Sequence, residues 1–384
     1  MEELANIQQQ NRHLVYVITE DWFFASHFLD RSLAALACGY RVTVVTRSRE
    51  TAKQLETLGL SFRNIEFARR GLNPLKEILT ILQLRKIFRQ LKPDIIHNIA
   101  LKPVVLGSIA AQFARVQNVV NALVGMGYVF TSTEKQARLL RPFVNSLIRY
   151  VLNHQNTKVI IENNDDLNNL VAGKFVKRES IALIKGAGVD LEKFSYQQQP
   201  PTPVKVIMVS RMLRDKGVEE FVQAARLINE TKSEVQFLLV GEADQGNPTS
   251  ISRKQLENWN QDGSVNWLGA RTDVAELLTS CHIACLPSYR EGLPKSLIEA
   301  AAAGRPIVTT DVPGCREVVT EGVNGFLVPP QDPKSLAIAI DKLIANPILR
   351  EKMGMTNRLK AELEFANAII IHQTQTIYDS FQTA

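Results

Sequence analysis

Short β-branched runs alternate with helical patterns along nearly the whole chain, and few architectures accept that order. In the first half, Leu14–Thr19, Val42–Thr46, Asp94–His97, Asn118–Leu123 and Lys158–Glu162 read as strands. In the second half, Val204–Ser210, Val235–Val240, Val265–Leu268, His282–Pro287 and Pro306–Thr310 do. Several of these runs are continuously apolar and do not alternate. A strand covered on both faces has no side left for polar residues, so the sheets are expected to be parallel, with helices on either face. In such α/β sheets ligands bind at the carboxyl ends of the strands.

The two halves are of the same general type, without a tandem repeat. Between them, Phe194–Pro203 (FSYQQQPPTP) holds prolines and glutamines that suit a stiff linker, and a new strand–loop–helix unit starts directly after it. The expected division is a first domain over 11–193, a second over 204–365 and a terminal segment 366–384, in which Asn367–Phe381 reads as a helix. A length of 384 residues fits two domains.

Composition removes several classes. With 45% hydrophobic and 22% charged residues the chain has enough apolar surface for a sizeable core, which excludes a disordered protein. A net charge of +6 fits an anionic substrate, a phosphate-rich membrane or a nucleic acid, and its sign does not choose among them. The basic residues are not interleaved with aromatics and no nucleic-acid module is present, so nucleic acid is not an expected partner. No G-x-G-x-x-G follows the first strand of either half, which argues against a dinucleotide oxidoreductase.

Cys38, Cys281, Cys285 and Cys315 form no disulfide framework and point to a reducing, cytoplasmic setting. Cys281-His282 with Cys285 reads as part of a buried strand, since no second ligand pair follows. Met1–Arg12 is polar and lacks a signal peptide's apolar run, and no stretch approaches the roughly 18 apolar residues of a membrane span. No Asp-x-Asp follows a strand, and Asp165-Asp166 resembles a helix cap, so neither a metal nor another cofactor is expected.

Two loops carry the candidate chemistry. Ser210–Gly217 leaves an apolar strand, bears Arg211, Arg214 and Lys216, and leads into the helical pattern Val218–Ile228. Amides at a helix start with cations beside them bind anions, although a solvated surface loop would carry the same charges. Pro287–Gly304 (PSYREGLPKSLIEAAAAG) sets Glu291 in a loop after a strand and Glu299 near the start of a small-residue helix. A carboxylate there can accept two hydrogen bonds from a diol. Pro294 at the helix start fits both that reading and a plain capped helix with two surface glutamates.

From Lys205 to Pro330 the chain resembles retaining glycosyltransferases of family 4, which have the GT-B fold. The resemblance rests on SRMLRDKGVEEF, on LLVGEAD, and on VNWLGARTDVAELLTSCHIACLPSYREGLPKSLIEAAAAGRPIVTTDVPGCREVV, with Glu291 and Glu299 separated by seven residues. It implies two Rossmann-like domains facing across a cleft, with the C-terminal helix crossing back to the first. It also implies that Arg211 and Lys216 hold the donor diphosphate, that Glu299 binds the ribose, and that Glu291 approaches the sugar and stabilises charge at its anomeric carbon. The backbone of Leu293, Pro294 and Lys295 would lie by the phosphates and sugar, and Leu268–Arg271, including Arg271, by the base. Glu242 stands where the family often has a Gly-Asp-Gly turn; here the turn is Gly241-Glu242-Ala243.

The first half resembles the family more loosely. Trp22-Phe23 replaces the usual Gly-Gly, and Val124-Gly125-Met126-Gly127-Tyr128 lacks the histidine that many members carry there. His97 and His27 are the remaining candidates for contact with the reacting groups, each with a core histidine as its alternative. HNIALKPVVLGSIAAQFA and VGMGYVFTS are similar to segments of bacterial enzymes that add an N-acetylhexosamine or related sugar to a polyprenyl-diphosphate-linked acceptor. The resemblance thus implies a metal-independent, retaining transferase that takes a UDP-sugar and a glycan or lipid-linked acceptor in polysaccharide biosynthesis, cytoplasmic or peripheral on the inner face of the membrane. A GT-B epimerase and a non-catalytic GT-B assembly protein remain as alternatives. Pro142–Leu152 reads as a helix with Phe143, Val144, Leu147, Ile148 and Val151 on one face and Arg138 and Arg141 ahead of it. That face packs on the core or lies on an anionic membrane.

Overall fold

The computed structural model describes residues 12–67, 74–125, 135–232, 234–244 and 246–381, with side chains omitted over 135–143. The chain divides into two compact units, Met1–Ala187 with Ala368–Ala384, and Gly188–Asn367.

The first unit is built on seven parallel strands: β1 (His13–Glu20), β2 (Arg41–Arg47), β3 (Ser61–Asn64), β4 (Ile95–Ile99), β5 (Asn118–Leu123), β6 (Thr157–Ile161) and β7 (Ile181–Leu183). Their order is β3-β2-β1-β4-β5-β6-β7. Residues of β1 explain its unbroken apolar run. Leu14, Tyr16 and Ile18 enter one buried cluster, while Val15 and Val17 enter another with Leu84, Phe88, Leu106 and Ala110 on the opposite face. Helix Asn367–Asp379 belongs to the first cluster through Ile370, Ile377 and Tyr378.

The second unit has six parallel strands: β8 (Lys205–Val209), β9 (Gln236–Val240), β10 (Asn266–Gly269), β11 (Ile283–Leu286), β12 (Ile307–Thr310) and β13 (Gly325–Val328), ordered β10-β9-β8-β11-β12-β13. The order reverses direction between β1 and β4 in one sheet and between β8 and β11 in the other. These are topological switch points, where neighbouring strands send their exit loops to opposite faces and leave a crevice.

Three strands, β3, β7 and β13, are not announced by the sequence: β3 has no apolar run, and those of β7 (IAL) and β13 (GFLV) are very short. All three lie at sheet edges, and β3 is exposed at Ser61, Arg63 and Asn64, with Phe62 alone buried. The division between units also differs from the sequence expectation. It falls at Ala187/Gly188, ahead of Phe194–Pro203. That proline-rich stretch is no free linker, because the second unit binds its carbonyls. Arg358 Nη1 donates to the carbonyl of Phe194 (2.9 Å), the buried Arg305 to that of Gln197, and His282 Nε2 faces that of Pro200 (3.0 Å).

The helix expected over Pro142–Leu152 runs from Lys135 to Leu152, which places Pro142 in its interior instead of its first turn. Ile148, Val151 and Leu152 pack in a buried cluster with Val159, Ile161 and Leu167. The face that had two readings is thus used by the core over the last turns. The side chains of Arg138, Arg141 and Phe143 lie outside the described residues, as do residues 1–11 and 126–134. No helix among the described residues is long and apolar enough to cross a membrane.

Candidate active site

In the second unit the exit loops of β8 and β11 meet at the switch point. The loop after β8 closes as a single 3-10 turn, Arg214–Lys216, and Gly217 then takes a left-handed conformation (φ +76°) to start helix Val218–Asn229. A Cβ on Gly217 would lie 2.0 Å from the Pro287 carbonyl oxygen, so glycine is required both by φ and by the approach of the β11 loop. The Asp215 carbonyl accepts from the Tyr289 amide (2.9 Å) and from Ser288 Oγ (3.0 Å), which stitches the two loops together.

This stitching brings Lys216 and Glu291 into contact at 2.6 Å, with the lysine 22% exposed and the glutamate 9%. Gly314 supports the loop from behind, where an added Cβ would lie 2.4 Å from the Gly292 carbonyl oxygen. Helix Lys295–Ala302 follows, with Pro294 at its N-cap and no side-chain cap. The amides of Leu297 and Ile298 donate to the Pro294 carbonyl (3.1 and 3.3 Å), and the start of the helix carries the positive end of the helix dipole. Leu293 and Pro294 bury their side chains and leave backbone at this helix start. Within the helix, Lys295 lies 3.5 Å from Glu299, one turn on. Burial pushes the Glu299 carboxyl up from its ordinary value, and Lys295 and Lys193 offset part of that.

Arg211 also stands on the β8 loop, largely exposed, and pairs with Asp244 at 3.1 Å. Asp244 closes the LLVGEAD segment, which assigns it no role, and Lys193 lies in no motif; both are found by proximity. Gly241 has φ +140° and a Cβ there would meet the Ser210 carbonyl oxygen at 1.8 Å, so this first glycine of the turn holds β8 and β9 loops together. Glu242, next in the turn, comes within reach of the β10 exit: an added Cβ on Gly269 would lie 3.6 Å from its Oε2. Leu268 packs partly on the core of this unit. Arg271 is occupied by a two-pronged pair with Asp273 (2.8 and 2.5 Å).

The two histidines separate. His97 is a correction to the sequence reading. The strand does not end at His97 but continues to Ile99, so His97 sits mid-strand with no exposed surface. Its ring stacks on Tyr16 at 5.1 Å, and Nδ1 shares a hydrogen with the Tyr378 hydroxyl at 2.7 Å. Burial first, and the buried Arg31 second, lower its pKa to about 3, so the ring is neutral. It is a core histidine and cannot touch a reacting group. His27 lies in the last turn of helix Asp21–His27, half-buried and 4.2 Å from the Phe23 ring. Trp22-Phe23 therefore forms helix and packing surface where the family places small residues. His282 spends both ring nitrogens on backbone, facing the Lys205 amide and the Pro200 carbonyl.

Comparisons with known proteins identify the class to which a chain of this fold belongs. The model of the glycosyl transferases group 1 matches residues 190–360, and that of glycosyl transferase 4-like proteins matches 13–164. A relative from Campylobacter jejuni, N,N'-diacetylbacillosaminyl-diphospho-undecaprenol alpha-1,3-N-acetylgalactosaminyltransferase, is 31% identical over 354 residues, covering 88% of this chain and 90% of that one. An Escherichia coli relative, UDP-Gal:alpha-D-GlcNAc-diphosphoundecaprenol alpha-1,3-galactosyltransferase, is 26% identical and covers 73% of this chain and 74% of its own. Among solved structures, Anabaena HepE in complex with UDP and glucose superposes with a TM-score of 0.76 at 18% identity, over 96% of this chain and 100% of that one. The chain belongs to the group 1 glycosyltransferases, has the GT-B fold and is a glycosyltransferase.

Proposed function

We propose that this chain transfers a sugar, an N-acetylhexosamine or a related one, from a UDP-sugar to a hydroxyl of a lipid-linked glycan, with retention and without a divalent metal. The Lys216–Glu291 contact across the β8/β11 switch point carries the reading, because it puts a cation and a carboxylate together where sheets of this kind bind phosphates. The relatives named above act on undecaprenol-diphosphate acceptors, which supports polysaccharide biosynthesis as the setting.

In this reading Lys216, Arg211 and the amide donors at the start of helix Lys295–Ala302 take the diphosphate. Lysine supplies a mobile point charge and arginine a planar fork, so together they neutralise the charge that grows on the leaving oxygens. Glu299 accepts from the ribose hydroxyls, and the Leu268–Arg271 stretch with Glu242 borders the base. The backbone of Leu293–Lys295 lies along the phosphates and sugar, and Glu291 stabilises the anomeric centre. The acceptor oxygen bonds to the anomeric carbon as the carbon–oxygen bond to the diphosphate breaks. The acceptor proton passes to the departing phosphate oxygen on the same face. Of the two candidate histidines, His27 is the one with surface to meet substrate.

The test is a transfer assay with a panel of UDP-sugars and a polyprenyl-diphosphate-linked acceptor, with the product linkage read by NMR. An α-linked product from an α-linked donor is the expected result. Consumption of donor with no acceptor present would point to an epimerase, and an inverted linkage would end the retaining mechanism.

A further inference from the structure

In the first unit, helix Pro74–Leu91 crosses from β3 to β4 and buries Thr80, Leu84 and Phe88 against the sheet. Its opposite face is apolar where a solvated helix would be polar. Leu75, Ile78, Leu79 and Leu82 are 73%, 53%, 59% and 49% exposed, spaced as one stripe at i, i+3, i+4 and i+7. The same stripe continues into Lys86 and Arg89, both exposed. Between Pro74 and Lys92 there is one acid, Glu77, and Lys102 holds it at 2.6 Å. The face therefore presents leucines and cations with no free negative charge.

The position is informative as well. The chain enters this helix from the carboxyl end of β3, and Lys102 stands in the first turn of helix Leu101–Ala114, which leaves the carboxyl end of β4. The Glu77–Lys102 pair thus fixes the leucine end of the stripe at the edge of the sheet where ligands bind. A second exposed apolar run, Ile348, Met355 and Leu359 in the other unit, has cations too, but the exposed Glu351 stands beside the exposed Lys352 and Glu362 pairs with Arg358, so acids are mixed among them.

We propose that the exposed face of helix Pro74–Leu91 is a docking surface for an anionic bilayer, with Leu75, Ile78, Leu79 and Leu82 entering the acyl boundary and Lys86 and Arg89 at the headgroups. Apolar insertion and cation attraction reinforce one another in such surfaces, and the electrostatic part is screened by salt. The proposal rests on the reading of the acceptor as lipid-linked only for its purpose: a helix lying on the bilayer would hold the ligand-binding edge of this unit near a membrane-borne substrate.

The test floats the purified full chain, without donor or acceptor, on vesicles of phosphatidylethanolamine and phosphatidylglycerol, and on phosphatidylcholine alone. Wild type is expected to float with the anionic vesicles at low salt and to be released at high salt. Leu79→Glu with Leu82→Glu, and separately Lys86→Glu with Arg89→Glu, are expected to lower the bound fraction about ten-fold or more. Leu75→Glu, at the most exposed position, covers the case in which the double leucine variant fails to fold. Ile348→Glu with Met355→Glu should float like wild type. Transfer to a short-chain, water-soluble acceptor should survive all of these changes; its absence in wild type would strike the proposed function and leave the docking surface standing. Wild type that stays with the soluble fraction overturns the proposal, as do helix variants that float normally. A leucine variant that splits a dimer in size-exclusion chromatography yet floats normally would make the face a contact between two copies instead.

Discussion

The Lys216 Nζ lies 2.6 Å from Glu291 Oε1, and the two residues stand on exit loops of different strands. A partly buried ion pair holds each partner in a defined place, but removing one member leaves the other charged and poorly solvated. In the proposed function the donor diphosphate competes with Glu291 for the lysine, which frees the carboxylate to face the sugar as the phosphate charge is neutralised.

Lys216→Ala is therefore expected to lower kcat/KM by roughly a hundred-fold or more, in line with loss of a preorganised charge at a leaving group. Lys254→Ala, an exposed change on another helix, should stay within about two-fold. Steady-state kinetics of both variants decide it, and equal losses would remove Lys216 from the site.

Glu299→Gln should move binding and stability in opposite directions. Loss of a charged acceptor for the ribose hydroxyls is worth roughly 1.5–3 kcal/mol, so donor affinity by calorimetry should fall about ten-fold or more. The carboxyl has its pKa raised by burial, so its stabilising protonated form is fully present below the ordinary value of 4.5 and is lost as pH rises through the higher folded value. At neutral pH the neutral Gln variant should melt at or above wild type, and that margin should close as pH falls toward 4.5. A variant that binds donor normally would end the assignment.

His97 should act on stability and not on the chemical step. Its folded pKa of about 3 lies below the ordinary 6.5, so the stability it contributes is present above 6.5 and is lost as pH falls toward 3. His282, lowered to about 4, adds to the same acid slope. His97→Gln is expected to lower Tm by several degrees at pH 7, through the Tyr378 contact, and to flatten the fall of Tm below pH 6.5, with kcat on folded enzyme near wild type. A large drop in kcat at unchanged Tm would contradict this.

Transfer activity is expected to survive excess EDTA, since Lys216, Arg211 and the start of helix Lys295–Ala302 supply positive charge for the diphosphate in the proposed reading. Activity lost in EDTA and restored by magnesium or manganese would overturn it and return attention to the carboxylates.

The sequence carried the strands that are buried on both faces, because a strand with helices above and below has a largely apolar interior; Leu14–Ile18 of β1 and Val206–Met208 of β8 are of this kind. It also placed Arg211, Lys216, Glu291 and Glu299 on the exits of strands, where glycine and proline punctuate the pattern. Edge strand β3 stayed hidden because Phe62 is its one buried residue, and β7 and β13 because their apolar runs are too short to stand out. That Lys216 meets Glu291 was decided by strand order alone: β11 pairs with β8, while β9 and β10 go to the other side. Spacing along the chain holds no record of that choice. The fate of His97 was decided in the same way, by Tyr378, 281 residues further on, in a helix that returns to cover the first sheet. Local pattern reports which faces are covered, because burial acts on each residue as it stands; which distant segment does the covering depends on long-range packing that no window of sequence contains.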